Sequence, residues 1–272
     1  MIGGDRQQHE VVTVWGACRV ATGLSDRLAA TVSPRTVMTG RDRIGKDREM
    51  SQLVRVQNFF LSSDGFGAGE GQSLETPFGH AQPRDGVAPD LPFDLGSWAF
   101  ATASWPNRTE PGGTRGLDDY FIRDFSRNIG AEIMGRNKFG PQRGPWEDLD
   151  WTGWWGDTPP FHTPVFVLTH HVRPSFTLDD TTFHFIDASP ADALRQAKAA
   201  ADGKDVRVGG GVATVRQFLD ADLVDTMHVA VAPIEIGRGE RLWDSPDELL
   251  DRFHLESIHS PSGVTHHLFW RR

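Results

Sequence analysis

The segment Val206-Arg207-Val208-Gly209-Gly210-Gly211, followed by Val215, Phe218, Leu219 and Leu223 at helical spacing, constrains this chain more than any other. It reads as a strand that runs into three glycines and then into an amphipathic helix. Three glycines in succession let the backbone approach a ligand closely, and the helix start that follows offers free N–H groups and the positive end of a dipole. Such a unit suits a phosphate, and it serves equally as a tight strand-to-helix turn with no ligand. Neither this triplet nor Gly65-Phe66-Gly67-Ala68-Gly69-Glu70-Gly71 has the G-x-G-x-x-G spacing of a dinucleotide fingerprint, and a Walker loop is missing as well.

From Met50 onward, strand-like and helix-like segments alternate, which predicts a layered α/β architecture. Residues 53–60 read as a strand, and a short helix is expected near 94–104 with Trp98 and Phe100. Leu117, Phe121 and Phe125 recur every four residues and predict a helix from Asp118 to Asn128, with Gly130 as its stop and a strand from Ala131 to Met134 after it. Pro164 to Thr169 and Phe183 to Ile186 read as buried strands. Ser189 is placed to cap a helix that runs through Ala201, with Asp192 at capping-box spacing and Gly203 as its stop. Asp225 to Ile234 reads as a long strand, and residues 253–259 and 264–270 as an antiparallel hairpin.

Composition bounds what such a chain does. The 272 residues include one cysteine, Cys18, so no internal disulfide forms, and a core of this size needs none. A net charge of −9 argues against a general nucleic-acid binder. No apolar run reaches the roughly 18 residues of a membrane helix, and no signal-peptide order is seen, so a cytoplasmic protein without membrane contact is expected. Residues 1–49 carry eight Lys/Arg against six Asp/Glu and show no sustained period. They are read either as a disordered extension or as residues ahead of a start at Met50, which leaves residues 50–272 as the folded domain.

Two further strand ends carry chemistry. Ile133-Met134 leads into Gly135, Arg136, Asn137 and Lys138, where two cations flank an amide at a strand's C-terminal end, the edge at which open α/β sheets bind ligands. Val167-Leu168 leads into Thr169, His170 and His171. Trp146 to Trp155 is too aromatic for a solvated linker and either caps a pocket or forms a separate hydrophobic cluster or dimer contact. Residues 66–95 are long and Gly/Pro-rich and form a second candidate lid. Metal chemistry is not expected: His266 and His267 are adjacent on a strand and point to opposite faces, and neither an H-E-x-x-H run nor a cysteine pair exists.

Taken in order, Gln57 to Gly65, Ile133 to Arg136, Pro164 to Thr169, Val206 to Gly211 and Phe218 to Pro233 with Ile236 to Trp243 resemble the dihydrofolate reductase-like fold, and in particular the reductase domain of riboflavin biosynthesis. The resemblance covers about residues 53–271. It implies a central mixed, mostly parallel sheet in three layers with a C-terminal antiparallel hairpin. It also implies an NADPH-dependent oxidoreductase of the 5-amino-6-(5-phosphoribosylamino)uracil reductase type, acting on a small heteroaromatic or carbonyl substrate. By similarity, Gly135, Arg136, Asn137 and Lys138 line the cofactor phosphates. Thr169 and His170 sit near its adenosine end, and Gly209, Gly210, Gly211 and Val212 wrap the pyrophosphate and nicotinamide side. Carrying the spacing of the family's protonating carboxylate across lands on Asp119, with Asp118 and Asp124 on the same helix and Asn58 on the opposite strand facing the substrate. First-turn acids favoured by the helix dipole account for Asp118 and Asp119 equally well. A homodimer is expected from the family. A dihydrofolate reductase and a non-catalytic nucleotide-binding protein are the alternative functions.

Overall fold

Asn58 interrupts the first strand before it can run straight. Its backbone is left-handed, with φ of 51°, and the pairing register shifts between Val56 and Phe59. Asn tolerates that conformation better than a bulky residue, and the extra residue bends the strand where it meets the cleft described below. The computed structural model describes residues 52–81, 95–106, 108 and 111–272. The expectations for residues 1–49 and for part of the 66–95 segment lie outside the described residues.

The elements in chain order are β1 (Val54–Ser62), β2 (Phe66–Ala68), α1 (Ser97–Phe100), α2 (Leu117–Arg123), β3 (Ile129–Gly135) and α3 (Arg136–Phe139). They continue with β4 (Pro164–Leu168), β5 (Phe176–Leu178), β6 (Thr181–Ile186), α4 (Pro190–Ala200), β7 (Asp205–Gly210) and α5 (Val212–Asp220). The last are β8 (Thr226–Ala232), β9 (Glu240–Arg241), β10 (Phe253–His259) and β11 (Thr265–Arg271). Nine strands form one sheet in the order β10-β11-β8-β1-β7-β3-β4-β6-β5, while β2 and β9 pair separately. From β8 to β6 every neighbour is parallel; β11 and β10 on one side and β5 on the other run antiparallel. The expected α/β fold, with a mostly parallel sheet and a C-terminal hairpin, is the one observed.

Each face of the sheet is covered for a reason legible in the strands. Val54 and Val56 of β1, Ala131 and Ile133 of β3, and Val206 and Val208 of β7 meet Ala193, Leu194 and Ala197 of α4 and Val215, Phe218 and Leu219 of α5 in the main core. In these three strands the apolar residues alternate with polar ones, the period of a strand that turns one face to the helices. Ser189 caps α4 by accepting a hydrogen bond from the Asp192 backbone N–H at 3.2 Å. On the opposite face the alternate positions are polar, and α2 packs there: Arg55 and Gln57 both donate to Asp124 Oδ2, at 3.1 and 3.0 Å. A third cluster places Val165, Val167, Phe183 and Phe185 against Phe139, Trp155 and Phe161.

Two boundaries differ from expectation. The α2 helix ends at Arg123 rather than Asn128, because Gln57 Nε2 draws the Asp124 carbonyl into a 2.6 Å hydrogen bond and Asn128 turns the chain at φ of 57°. Gly130 is not the stop. It lies inside β3, where a Cβ would collide with the Ala201 carbonyl. The long strand at 225–234, apolar on both faces, is buried between β1 and β11 of its own chain, so it gives no separate argument for a dimer. Among the described residues no helix is long and apolar enough to cross a membrane.

Candidate functional site

Because β1, β7, β3 and β4 are parallel neighbours, their C-terminal ends share one edge of the sheet, and a cleft of about 1150 Å³ opens there. Roughly 300–1,000 Å³ accommodates a single drug-sized ligand, so this cleft has room for more than one small molecule. It is lined by Asn58 of β1, by Gly135, Arg136, Asn137 and Lys138 at the β3–α3 junction, by Thr169 and His170 after β4, and by Gly209, Gly210, Gly211 and Val212 between β7 and α5. Asp119, the twelfth residue singled out from the sequence, is not among the lining residues.

The glycines are there for close approach. A Cβ on Gly209 would strike Glu132 Oε1, and one on Gly135 would strike Thr214 Oγ1, so β3, β7 and α5 meet at distances no other residue permits. Gly209 and Gly210 still belong to β7, with Gly210 at φ of 115°, and Gly211 is the N-cap of α5. A glycine cap brings no side chain to the first-turn N–H groups of α5, which therefore look into the cleft at Val212 and Ala213.

Beneath the glycines lies a buried ion cluster that sequence reasoning did not find. Glu132 is fully buried and its Oε2 is paired with Arg207 Nε; the Arg207 guanidinium stacks 3.6 Å from the Phe125 ring and donates to the Phe125 carbonyl at 2.5 Å. Lys138 Nζ lies 3.6 Å from Glu132 Oε1 and donates to the Gly209 carbonyl at 2.5 Å. Two cations against one carboxylate leave a net positive charge at the cleft floor. Burial pushes the Lys138 ammonium below its usual range, with Arg207 adding to the effect and Glu132 opposing it.

Arg136 stands at the cleft wall with its guanidinium 3.8 Å from the Trp146 ring, and one nitrogen donates to the Gly144 carbonyl. Its Nε and Nη2 are buried and have no hydrogen-bond partner among the described residues. Burial, then the charges of Arg143 and Arg173, lower its pKa. Two such guanidinium donors beside a buried ion cluster have the chemistry that pairs with anions. Thr169 Oγ1 accepts from the His171 N–H at 3.1 Å, and the exposed His170 pairs with Asp187 at 3.0 Å on the rim.

The aromatic loop is both of the things expected of it. Trp155 is buried, edge-on to Phe161 at 4.7 Å, and anchors the loop in the third core cluster, while Trp151 and Trp154 line the cleft beside it. Arg173 pins the loop by donating to the Trp151 carbonyl at 2.9 Å. From the other side, Gln72, Leu74, Pro77 and Phe78 of the second lid segment also reach the cleft.

Asp119 is turned away from all of this. Its Oδ1 accepts from the Ser104 backbone N–H at 2.7 Å, and Arg123 Nε lies 3.9 Å from its other oxygen. The face of α2 that meets the sheet carries Asp118, Phe121 and Ile122, so an acid one position later, about 100° around the helix, is used to hold the α1–α2 connection. Asp118 is the acid that faces inward, accepting from or donating to His266 Nε2 at 2.8 Å. Among the described residues, His162, Asp179 and Asp180 form a group with metal-ligand spacing; all three are exposed and none lines the cleft.

The model of the RibD C-terminal domain family matches residues 54–262. Among solved structures, the chain is similar to a Shewanella sp. PV-4 protein ascribed to riboflavin biosynthesis, at 20% identity over 82% of this chain and 99% of that one, with a TM-score of 0.47. It is similar to a diaminohydroxyphosphoribosylaminopyrimidine deaminase/5-amino-6-(5-phosphoribosylamino)uracil reductase from Thermotoga maritima, at 13% identity over 82% of this chain and 58% of that one, with a TM-score of 0.45. It is also similar to a dihydrofolate reductase from Enterococcus faecalis complexed with NADP(H), at 11% identity over 81% of this chain and 96% of that one, with a TM-score of 0.44. No curated protein matches it.

Proposed function

This chain belongs to the RibD C-terminal domain family, a riboflavin-biosynthesis reductase type, and on that premise we propose that it is an NADPH-dependent reductase. The domain that carries the activity is residues 50–272, and the substrate is a small heteroaromatic or carbonyl compound. The observation that carries this reading is the pair of buried guanidinium donors on Arg136, without a partner among the described residues, set beside a net positive floor and a glycine-capped helix start.

The residues fit the cofactor on chemical grounds. Arg136 and Lys138 supply charge for its phosphates, and Gly209, Gly210 and Gly211 leave the space a pyrophosphate needs. Asn137, Val212, Thr169 and His170 complete that wall. NADPH, when bound, supplies the hydride. The chain's own share is to hold donor and acceptor together and to keep water out. Trp151, Trp154 and Phe78 present ring faces and edges against which a planar heterocycle packs, and their apolar surface excludes solvent from the reacting atoms. Asn58, at the bend in β1, offers an amide to a substrate polar atom. No protonating role is proposed for Asp119, whose carboxylate is committed to Ser104.

Calorimetric titration of NADPH and NADH into the full chain tests the reading. Micromolar NADPH binding, weakened about ten- to a hundredfold in Arg136→Ala, is expected from the loss of charge-assisted hydrogen bonds worth about 1.5–3 kcal/mol. Absence of binding by either nucleotide overturns it.

A further inference from the structure

Behind Asn58 lies a line of buried polar side chains that the proposed function does not use. Asn58 Nδ2 donates to the Phe121 carbonyl at 3.1 Å, which turns its Oδ1 toward His228 Nδ1, 2.7 Å away. His228 Nε2 lies 2.9 Å from His266 Nδ1, and His266 Nε2 lies 2.8 Å from Asp118 Oδ1. The Phe121 ring is stacked on both imidazoles, at 4.1 and 4.4 Å, and Trp98 stands edge-on to His266 at 5.5 Å. His228 and His266 are 7% and 0% exposed, so water does not replace the contact between them.

The amide end fixes the direction of every hydrogen bond in the line. Since Asn58 Oδ1 can only accept, His228 carries its proton on Nδ1, and its Nε2 is left to accept from His266 Nδ1–H. His266 Nε2 then has two choices. Either it shares a proton with Asp118, or its lone pair faces a carboxylate lone pair at 2.8 Å. We propose that Asp118 and His266 hold one labile proton between them, and that through His228 this proton sets the orientation of the Asn58 amide at the cleft wall.

Loss of that proton places a lone-pair clash somewhere in the line. Asp118, His228 and His266 are packed in place; Asn58, half-buried at the cleft, is the member free to turn. Reversing all the tautomers would set Asn58 Oδ1 against the Phe121 carbonyl, so the amide swings out of its anchored position instead. Asp118, His266 and His228 are therefore positioning residues, and Asn58 is the group that meets the ligand. Only the identity of that ligand rests on the proposed function.

Few other charges reach the line. Burial disfavours the imidazolium at both His228 and His266; the charges of His266 and His267 add to this at His228, and Asp118 opposes it at His266. From α2, Asp119 faces Ser104; from β1, Arg55 and Gln57 face Asp124; His267 of β11 lies on the far side of the strand against Ser257, yet its charge is felt at His228, and His259, His266 and Asp247 act on it in turn.

Nitrogen-labelled full chain, free of nucleotide, provides the test through the imidazole and side-chain amide resonances, recorded from about pH 5 to about pH 9. We expect both His228 and His266 as Nδ1–H tautomers at the acidic end, and one shared titration step that moves both rings and the Asn58 amide together. In Asp118→Asn the amide N–H can donate to His266 Nε2 without a labile proton, so the same tautomers persist and the step disappears. A His228 Nε2–H tautomer throughout, or an Asn58 amide that does not respond when the histidines titrate, overturns the proposal from the wild-type spectra alone. Because no nucleotide is present, failure of NADPH to bind refutes the proposed function separately.

Discussion

Two buried polar networks lie on the α2 face of the sheet, and both end at the cleft, yet they treat a proton differently. The Glu132, Arg207 and Lys138 cluster under the glycine triplet is anchored by a guanidinium, which stays charged at any pH the fold survives. The Asp118, His266, His228 and Asn58 line beside it is built from imidazoles, which gain and lose protons where a guanidinium does not. One network keeps a permanently charged Arg207–Glu132 pair under the cleft, with Lys138 as its excess cation; the other makes one wall of the cleft sensitive to a proton. A ligand that spans both meets a fixed electrostatic anchor at one end and an adjustable hydrogen bond at the other.

The sharpest way to break this contrast is to remove the permanent charge. In Arg207→Met, Glu132 remains fully buried with only Lys138 at 3.6 Å to offset it. The expected loss is about 3–5 kcal/mol of unfolding free energy in urea denaturation. In Glu132→Met/Arg207→Met the uncompensated charge is gone, and most of that loss is expected to return. If the single variant is as stable as the wild type, the cluster does not hold the floor of the cleft together.

Next in size is the response of stability to acid. The folded pKa of His228 is pushed well below the ordinary 6.5 by burial, and those of His266 and His267 shift the same way. Below pH 6.5 the unfolded chain therefore binds a proton at His228 that the folded chain refuses. Unfolding free energy is expected to be complete above that pH and to fall as pH drops, by up to about 1.4 kcal/mol per pH unit for His228. Denaturation curves at a series of pH values measure the slope, and His228→Gln is expected to flatten it. A slope unchanged in that variant would mean that His228 is not held neutral by the fold.

The fold was legible because its parallel strands keep an apolar face toward α4 and α5 and its helices carry caps and stops of ordinary kind. Ser189 with Asp192 marked α4 to within a residue, whereas Gly130 misled, since a glycine needed for close packing against Ala201 looks the same as a glycine that ends a helix. The cleft was legible for a topological reason: parallel neighbours bring their C-terminal ends to one edge, so residues after β3, β4 and β7 had to meet. What joins β8, β11 and α2 was not. His228 and His266 are 38 residues apart, and only the antiparallel register that sets His266 beside Ala230 turns both imidazoles to the same face. His266 and His267 were correctly read as facing opposite ways, but nothing local says which of them meets a helix.

The smallest expected effect separates the two neighbouring acids of α2. Asp119→Asn keeps an oxygen for the Ser104 N–H and loses only a half-screened partner of Arg123, so a stability change within about 1 kcal/mol is expected. NADPH affinity and its pH dependence should match the wild type, because Asp119 neither lines the cleft nor touches the histidines. Asp118→Asn, one residue away, is expected to erase the joint titration of His228, His266 and Asn58. Parallel calorimetry and spectra on the two variants put this to the test. If Asp119→Asn were the one to change nucleotide binding, the helix phase that turns Asp118 to the sheet and Asp119 to the α1–α2 connection would be the wrong basis for assigning their roles.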